Sequence, residues 1–368
     1  MSKAAVANDA GATSAATPGR QLGPWWLRSL GGSAGLMVVL LVIAVAVNAA
    51  GSPTDLRVAT TFFIYLVVAL GLQTFTGYSG IISFAHVGFM ALGGYASALL
   101  TTPALIKQTS IPDAPHWLMS AELNFWVAGA IAVVLVMLIA FVIGIPLVRL
   151  NGAPAAVATI GVLVIVNTIL SNSDSITRGA QAFYGIPAKT TIFVAAAVAA
   201  GAVLVARLFR DSDSGLGLRS SRLDVLGSEA SGVNVDRVRL LAWTLSAGIA
   251  AAGGVLFAHY LTTLLPSVFM YNLTLTILTM IIIGGPTASG AVVGAMIVSV
   301  ATEFLRRAED TFSAPGLSTV VLGIFILVTM IVRPSGLLGR WEIDTWLRGR
   351  WRQVRRVQSG TTTGGGGS

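Results

Sequence analysis

An imidazole, His86, sits among glycines and serines in the apolar stretch GYSGIISFAHVGFMALGGYASALL, residues 77–100. An ionisable group in so apolar a run faces water or the interior of a helix bundle, and by default marks a functional position. The plainer alternative is a neutral ring hydrogen-bonded to a neighbouring helix. A metal site finds little support, because the stretch holds no Asp, Glu or Cys. The whole chain lacks cysteine, which also removes thiolate nucleophiles and disulfides. The three histidines lie far apart in sequence, and no Ser/His/Asp set stands in a nucleophile context. Lys3, Lys107 and Lys189 all lack the glycine context of a phosphate loop, so ATP hydrolysis by that route is excluded. No catalytic residue and no metal ligand is assigned.

The small and polar residues around His86 have a helical phase. On a continuous helix Ser79, Ser83, His86, Met90, Gly93 and Ser97 would fall within about 40° of one direction. Such a stripe serves either as a close-packing seam between helices or as the wall of a pathway. Elsewhere the small-xxx-small pairs Gly248/Ala252, Ala250/Gly254 and Gly290/Gly294 read as packing positions. Glu303 is placed to pair with Arg306 or Arg307 one turn away, and that reads as a surface ion pair.

The elements that must position these residues are membrane helices. Of 368 residues 55% are hydrophobic and 10% charged, with a mean hydropathy of +0.82; soluble domains carry roughly 25% charged residues. Ten apolar segments are expected, near 31–49, 57–76, 79–101, 125–148, 153–171, 191–209, 238–260, 267–285, 287–305 and 316–333. About 20 helical residues cross a hydrocarbon core, so the fold class is all-α, a polytopic helical bundle. Gly, Pro and Ser interrupt the second, third and fifth segments, as is tolerated where backbone is buried in protein or lines a cavity.

With the N-terminus inside, 17 of the 23 Lys and Arg residues fall on the cytoplasmic side and six outside, which places both termini in the cytoplasm. The net charge of +8 therefore records orientation, and no aromatic–basic interleaving suggests nucleic acid. Trp117, Trp126 and Tyr184 fall at outer span edges, and Trp25, Trp26 and Trp341 at inner ones. Residues 1–30 read as a disordered arm, 31–335 as the membrane domain with a cytoplasmic loop at 207–238, and 336–359 as a basic tail suited to anionic lipid. Residues 360–368 read as an added flexible linker.

Residues 77–100 resemble a characteristic segment of the membrane permeases of branched-chain amino acid ABC importers, through Gly77, Tyr78, Gly80, Ser83, His86, Phe89, Gly93 and Tyr95. Two further stretches resemble the same family: SEASGVNVDRVRLLAWTLSAGIAAAGGVLFA at 228–258 and IIGGPTASGAVVGA at 282–295. Order and spacing agree across most of residues 57–333, and the long N-terminal arm is similar to the family's M-type subunit. One departure is the outer loop at 177–187, TRGAQAFYGIP, which carries Arg178 and two aromatics where the family reads closer to TGGSDGLSGIP.

The resemblance implies a non-enzymatic translocation subunit in a bacterial inner membrane. Its substrate pathway would run past Gly77, Tyr78, Gly80, Ser83, His86, Met90 and Gly93. The loop containing Arg222, Leu226, Glu229 and Gly232 would dock on an ATPase subunit, and Arg178 and Gly179 would lie at the periplasmic mouth. Implied partners are a homologous second permease, two ATPase subunits that bind ATP and Mg, a periplasmic or lipid-anchored solute-binding protein, and membrane lipid. This chain itself would bind no cofactor. The alternatives are a ribose-type sugar permease, a urea or amide permease, an ion-coupled secondary transporter and a passive channel. The secondary transporter lacks the midplane carboxylates such a mechanism uses.

Overall fold

A computed structural model describes residues 25–312, 316–333 and 336–339. The polar arm up to residue 24 and the basic tail and linker beyond 339 lie outside the described residues, as do the side chains of Trp25 and Trp26. The elements run α1 (Trp25–Ala50), α2 (Pro53–Leu72), a π-helical turn (Gln73–Gly77), α3 (His86–Thr101), α4 (Ala104–Ser110), α5 (His116–Met119), α6 (Phe125–Leu147) and α7 (Gly152–Asn172). They continue with α8 (Asp174–Thr177), β1 (Phe183–Tyr184), α9 (Ile192–Asp211), α10 (Asp213–Leu223), α11 (Val225–Ala230), α12 (Val235–Leu261), β2 (Thr263–Leu264), a 3-10 turn (Pro266–Phe269), α13 (Tyr271–Gly284), α14 (Ala288–Phe312) and α15 (Leu317–Val332).

This is an all-α membrane bundle, and its packing inverts the soluble pattern. Between the ends of α6, where Phe125 and Leu147 are buried, the buried positions are small or slim, Ala128, Ala132, Val136, Ala140 and Gly144 at every fourth residue. Val127, Val134, Leu138 and Val142 point outward, each more than half exposed. In lipid an exposed aliphatic side chain costs nothing, and close approach of backbones holds helices together. The tightest seam joins α3 to α12. A Cβ on Gly254 would lie 1.8 Å from the Met90 carbonyl oxygen, and one on Gly93 would lie 2.5 Å from that of Ala251. A second such seam joins α13 to α14, where a Cβ on Gly294 would lie 1.8 Å from the Met280 oxygen. The pair Gly290/Gly294 thus packs as its spacing predicts.

Seven helices among the described residues are long and apolar enough to cross a membrane, or eight if the pair α3 and α4, bent by 117°, is one span. The expected ten segments all contain a helix, but three differ from a simple crossing. Residues 79–101 do not form one helix: chain 80–85 is irregular and α3 begins only at His86. Gly80 takes φ +75, and Ser79 Oγ both donates to the Phe75 carbonyl and accepts from the Ile81 N–H, which diverts the backbone from the helical ladder. The six-residue stripe is therefore split, with Ser79 and Ser83 outside the helix. The segments at 267–285 and 316–333 hold helices of 14 and 16 residues. At 1.5 Å per residue they reach about 21 and 24 Å, short of a core of roughly 30 Å.

Orientation is directly testable in this cysteine-free chain. Ser175, beyond α7, and Ser231, between α9 and α12, are both exposed. Cysteines introduced there are expected to label from opposite faces with an impermeant maleimide, residue 175 from outside. Labelling of both from one face would remove α9 as a crossing.

Candidate functional site

The irregular chain before α3 is held by polar contacts on every side. His86, fully enclosed, has Nδ1 2.9 Å from Ser83 Oγ and Nε2 2.9 Å from Ser246 Oγ on α12. Ser246 spends its one hydroxyl hydrogen on the Trp243 carbonyl, 2.8 Å away. Its Oγ therefore accepts from His86 Nε2–H, and Nδ1 accepts from the Ser83 hydroxyl. The neutral Nε2–H tautomer satisfies all of these groups. The rings of Phe75, Phe89 and Trp243 surround the imidazole at 5.6–6.2 Å between centroids. His86 is thus a staple between the irregular segment and α12. Phe84 adds a second tether, its N–H donating to Thr159 Oγ1 on α7 at 3.1 Å.

The other end of this segment meets the hairpin of α10 and α11. Arg222, in the last turn of α10, donates from Nη1 to the Gly77 carbonyl at 2.5 Å. Its side chain lies against Gly80, where a Cβ would come within 3.0 Å of Arg222 Cγ. From the third direction Gln73 Nε2 donates to the Pro286 carbonyl at 2.9 Å, and a Cβ on Gly77 would approach that same oxygen to 2.7 Å. The GGP turn ahead of α14 therefore packs directly on the π-turn. A π-turn widens the helix by one residue and is common where helices serve function.

Of the seven residues proposed to line a pathway, Gly77, Tyr78, Ser83, His86, Met90 and Gly93 are buried in this chain and Gly80 is exposed. Met90 and Gly93 belong to the α3–α12 seam. The other five cluster at the irregular segment.

The loop 207–238 holds two short helices, α10 and α11, turning at Asp224. Leu223 and Leu226 are 74% and 77% exposed, an apolar pair left open at the tip. Glu229 and Gly232 are exposed beside it. Gly232 takes φ +85 with its N–H on the Glu229 carbonyl and that of Val233 on Ser228, a glycine-dependent helix ending. A β-branched residue is strained there by about 1–2 kcal/mol. If the loop docks on an ATPase as the resemblance implies, Gly232→Val is expected to leave membrane insertion intact and to lower uptake and stimulated ATP hydrolysis, measured on assembled complexes.

At the far end, Arg178 sits in the left-handed region at φ +68, followed by Gly179 at φ +61. Arg178 Nη1 donates to the Ala182 carbonyl at 2.7 Å, and its guanidinium lies 4.7 Å over the Tyr184 ring. The two aromatics that depart from the family pattern thus have structural places: Tyr184 carries Arg178, and Phe183 is fully buried. Both form β1, paired antiparallel with Thr263 and Leu264 of β2.

Sequence reasoning missed several positions. Trp243, wholly buried, donates Nε1–H to the Ala140 carbonyl at 3.0 Å. His259 joins α3 to α12 a second time, with Nε2 2.9 Å from Ser97 Oγ and Nδ1 2.9 Å from the Pro187 carbonyl. Lys107, on α4, is buried with Nζ donating to the Leu118 and Ala121 carbonyls. Glu303 does form its ion pair, with both Arg306 and Arg307. Among the described residues no group of three His, Asp or Glu is placed to hold a metal.

The described residues thus form a many-spanning helical bundle with a broken, polar-stapled helix contacted by a short helical hairpin. The family described as the permease component of branched-chain amino acid transport systems matches residues 56–330, and the chain belongs to it. It is 28% identical over 337 residues to the high-affinity branched-chain amino acid transport permease LivM of Escherichia coli K12, covering 82% of this chain and 74% of that protein. It is 27% identical over 312 residues to the corresponding permease LivH of Salmonella typhimurium, covering 76% and 92%. No solved structure matches it.

Proposed function

We propose that this chain is the M-type half of the translocation pathway of an ATP-driven importer for branched-chain amino acids, in a bacterial inner membrane. The observation that carries the reading is the family match across residues 56–330, supported by likeness to both LivM and LivH. Likeness to both points to descent from a common permease and to a homologous second permease as the partner. These relatives favour an amino acid over a ribose-type sugar, urea or amide, and an ABC permease over an ion-coupled transporter or a channel. ATP and Mg would be handled by two separate ATPase subunits, and solute would arrive on a binding protein at the face carrying Arg178 and Gly179.

Coupling would run through the α10–α11 hairpin. Its exposed Leu223 and Leu226 offer the apolar knob for an ATPase groove, with Glu229 beside them for a basic group. Arg222 carries displacement of the hairpin to the Gly77 carbonyl and hence to the irregular segment. His86 and Ser83 hold that segment to α12, so a moved hairpin shifts the segment against a fixed helix. A chain held by a few side-chain bonds, without a helical ladder, is suited to two discrete arrangements.

The test is co-expression with a second permease, two ATPases and a binding protein of the same system, followed by reconstitution. Leucine uptake that requires all five components and ATP is expected. Uptake by this chain alone, driven by an ion gradient, would overturn the reading.

A further inference from the structure

A groove runs between α1 and α14 with α2 as its floor. Its hollow, about 420 Å³, is walled by Ile43 and Val47 of α1, Val58 and Phe62 of α2, and Met296 and Val300 of α14. Asp55, Glu303 and Arg307 stand at one end, where α2 starts and α14 finishes. The orientation taken from the Lys and Arg distribution puts that end in the outer leaflet. Apolar hollows do not hold water, and an empty one forfeits packing contacts along its whole lining. In a membrane bundle the material at hand is lipid. A helix does not fit the space. Met296 to Arg307 covers about 17 Å of α14, and that length of helix, at least 10 Å across, displaces about 1,300 Å³. A single extended hydrocarbon chain does fit. Beside the hollow, Ser299 Oγ and Thr302 Oγ1 are shielded from solvent without a hydrogen-bond partner. Native proteins rarely leave such groups unmet, and the bilayer core offers them no water.

We infer that the groove is a binding site for one phospholipid of the outer leaflet, held by an acyl chain and its ester oxygens and not by its headgroup. The acyl chain lies along Phe62, Met296 and Val300. The ester carbonyls accept hydrogen bonds and do not donate them, which suits the two unmet hydroxyls. Ser299 lines the hollow and an adjoining cavity of about 160 Å³, and Thr302 lines that cavity. Ser299 lies about one turn inward of Glu303, as lipid esters lie inward of their headgroups. The mouth selects no headgroup charge. Asp55 and Glu303 there balance Arg57 and Arg307, and Glu303 is already paired with Arg306 and Arg307. Val300 and Phe304 line the hollow at 61% and 72% exposure, so a lipid enters sideways from the bilayer without any parting of the bundle. Once seated, it bridges α1 and α14.

The experiment takes the assembled complex in detergent, strips its lipid, adds back dioleoylphosphatidylcholine and counts retained lipid by native mass spectrometry. One lipid per copy of this chain is expected to persist after the loosely held lipids have gone. The dialkyl ether analogue has the same chains and headgroup but no ester carbonyl. It should be retained about three- to tenfold less, the equivalent of one ordinary hydrogen bond. Ser299→Ala combined with Thr302→Ala should bring the ester lipid down to the ether level and erase the difference. Val300→Trp obstructs the groove from an exposed position and should abolish this retention. Val38→Trp, on the open face of α1 outside the groove, is the control and should change nothing. Dioleoylphosphatidylglycerol should be retained as well as the choline lipid. Equal retention of ester and ether lipids by the unaltered chain, retention indifferent to Val300→Trp, or a strong preference for the anionic headgroup would each overturn the site. Lipid held by the isolated chain but excluded from the assembled complex would overturn it too, and would show that a second permease fills the groove.

Discussion

Gly254→Ala is expected to prevent assembly of the bundle, although it adds a single methyl group in mid-helix. That methyl would lie 1.8 Å from the Met90 carbonyl oxygen and 2.9 Å from the Gly94 nitrogen. Both neighbours are backbone of α3, so no rotamer change makes room and the two helices must separate. Ordinary overpacking by a methylene costs about 1–3 kcal/mol; here the whole α3–α12 seam opens, and the loss should exceed that range. Gly201→Ala on α9, where nothing lies within 4 Å, is the matched control and should be silent. Size-exclusion profiles after a heating step read the difference. Equal profiles for the two variants would mean that the seam is looser than described.

His86→Leu is expected to insert normally and lose most transport. It removes both staples at once and leaves Ser83 buried without its acceptor, a penalty of about 1–3 kcal/mol. Because the irregular segment has no helical ladder of its own, that penalty falls on the arrangement of residues 80–85. A fall in uptake of about tenfold or more is expected, the equivalent of about 1.4 kcal/mol. His86→Gln should recover much of it, since an amide donates to Ser246 and accepts from Ser83 as the neutral ring does. Uptake by reconstituted complexes, normalised to assembled protein, decides. Equal loss in both variants would mean that a proton on His86 takes part in transport.

How far the sequence carries this account depends on whether a feature is local. Membrane helices were legible because hydropathy over 20 residues is a property of the stretch itself, and α6 and α12 lie within a few residues of their expected places. The ending of α11 at Gly232 follows from one residue's access to positive φ. The stripe through Ser79 and Ser83 was misread because periodicity assumes an unbroken helix, and Gly80 with the Ser79 side chain ends it. His86 was legible as a polar anomaly, but its partner Ser246 is 160 residues away, and no pattern within a stretch reports such a pairing. Arg222 was selected by resemblance alone, and its reach to Gly77 spans 145 residues.

The account turns on Arg222, the link from the α10–α11 hairpin to the irregular segment. Arg222→Met keeps the length of the side chain and removes every donor. The decisive measurement is ATP hydrolysis by the reconstituted complex with and without loaded binding protein. The variant complex should assemble and keep basal hydrolysis, yet show no stimulation by loaded binding protein and no uptake. Stimulation and uptake at wild-type levels would contradict the claim that this contact joins the ATPases to the pathway.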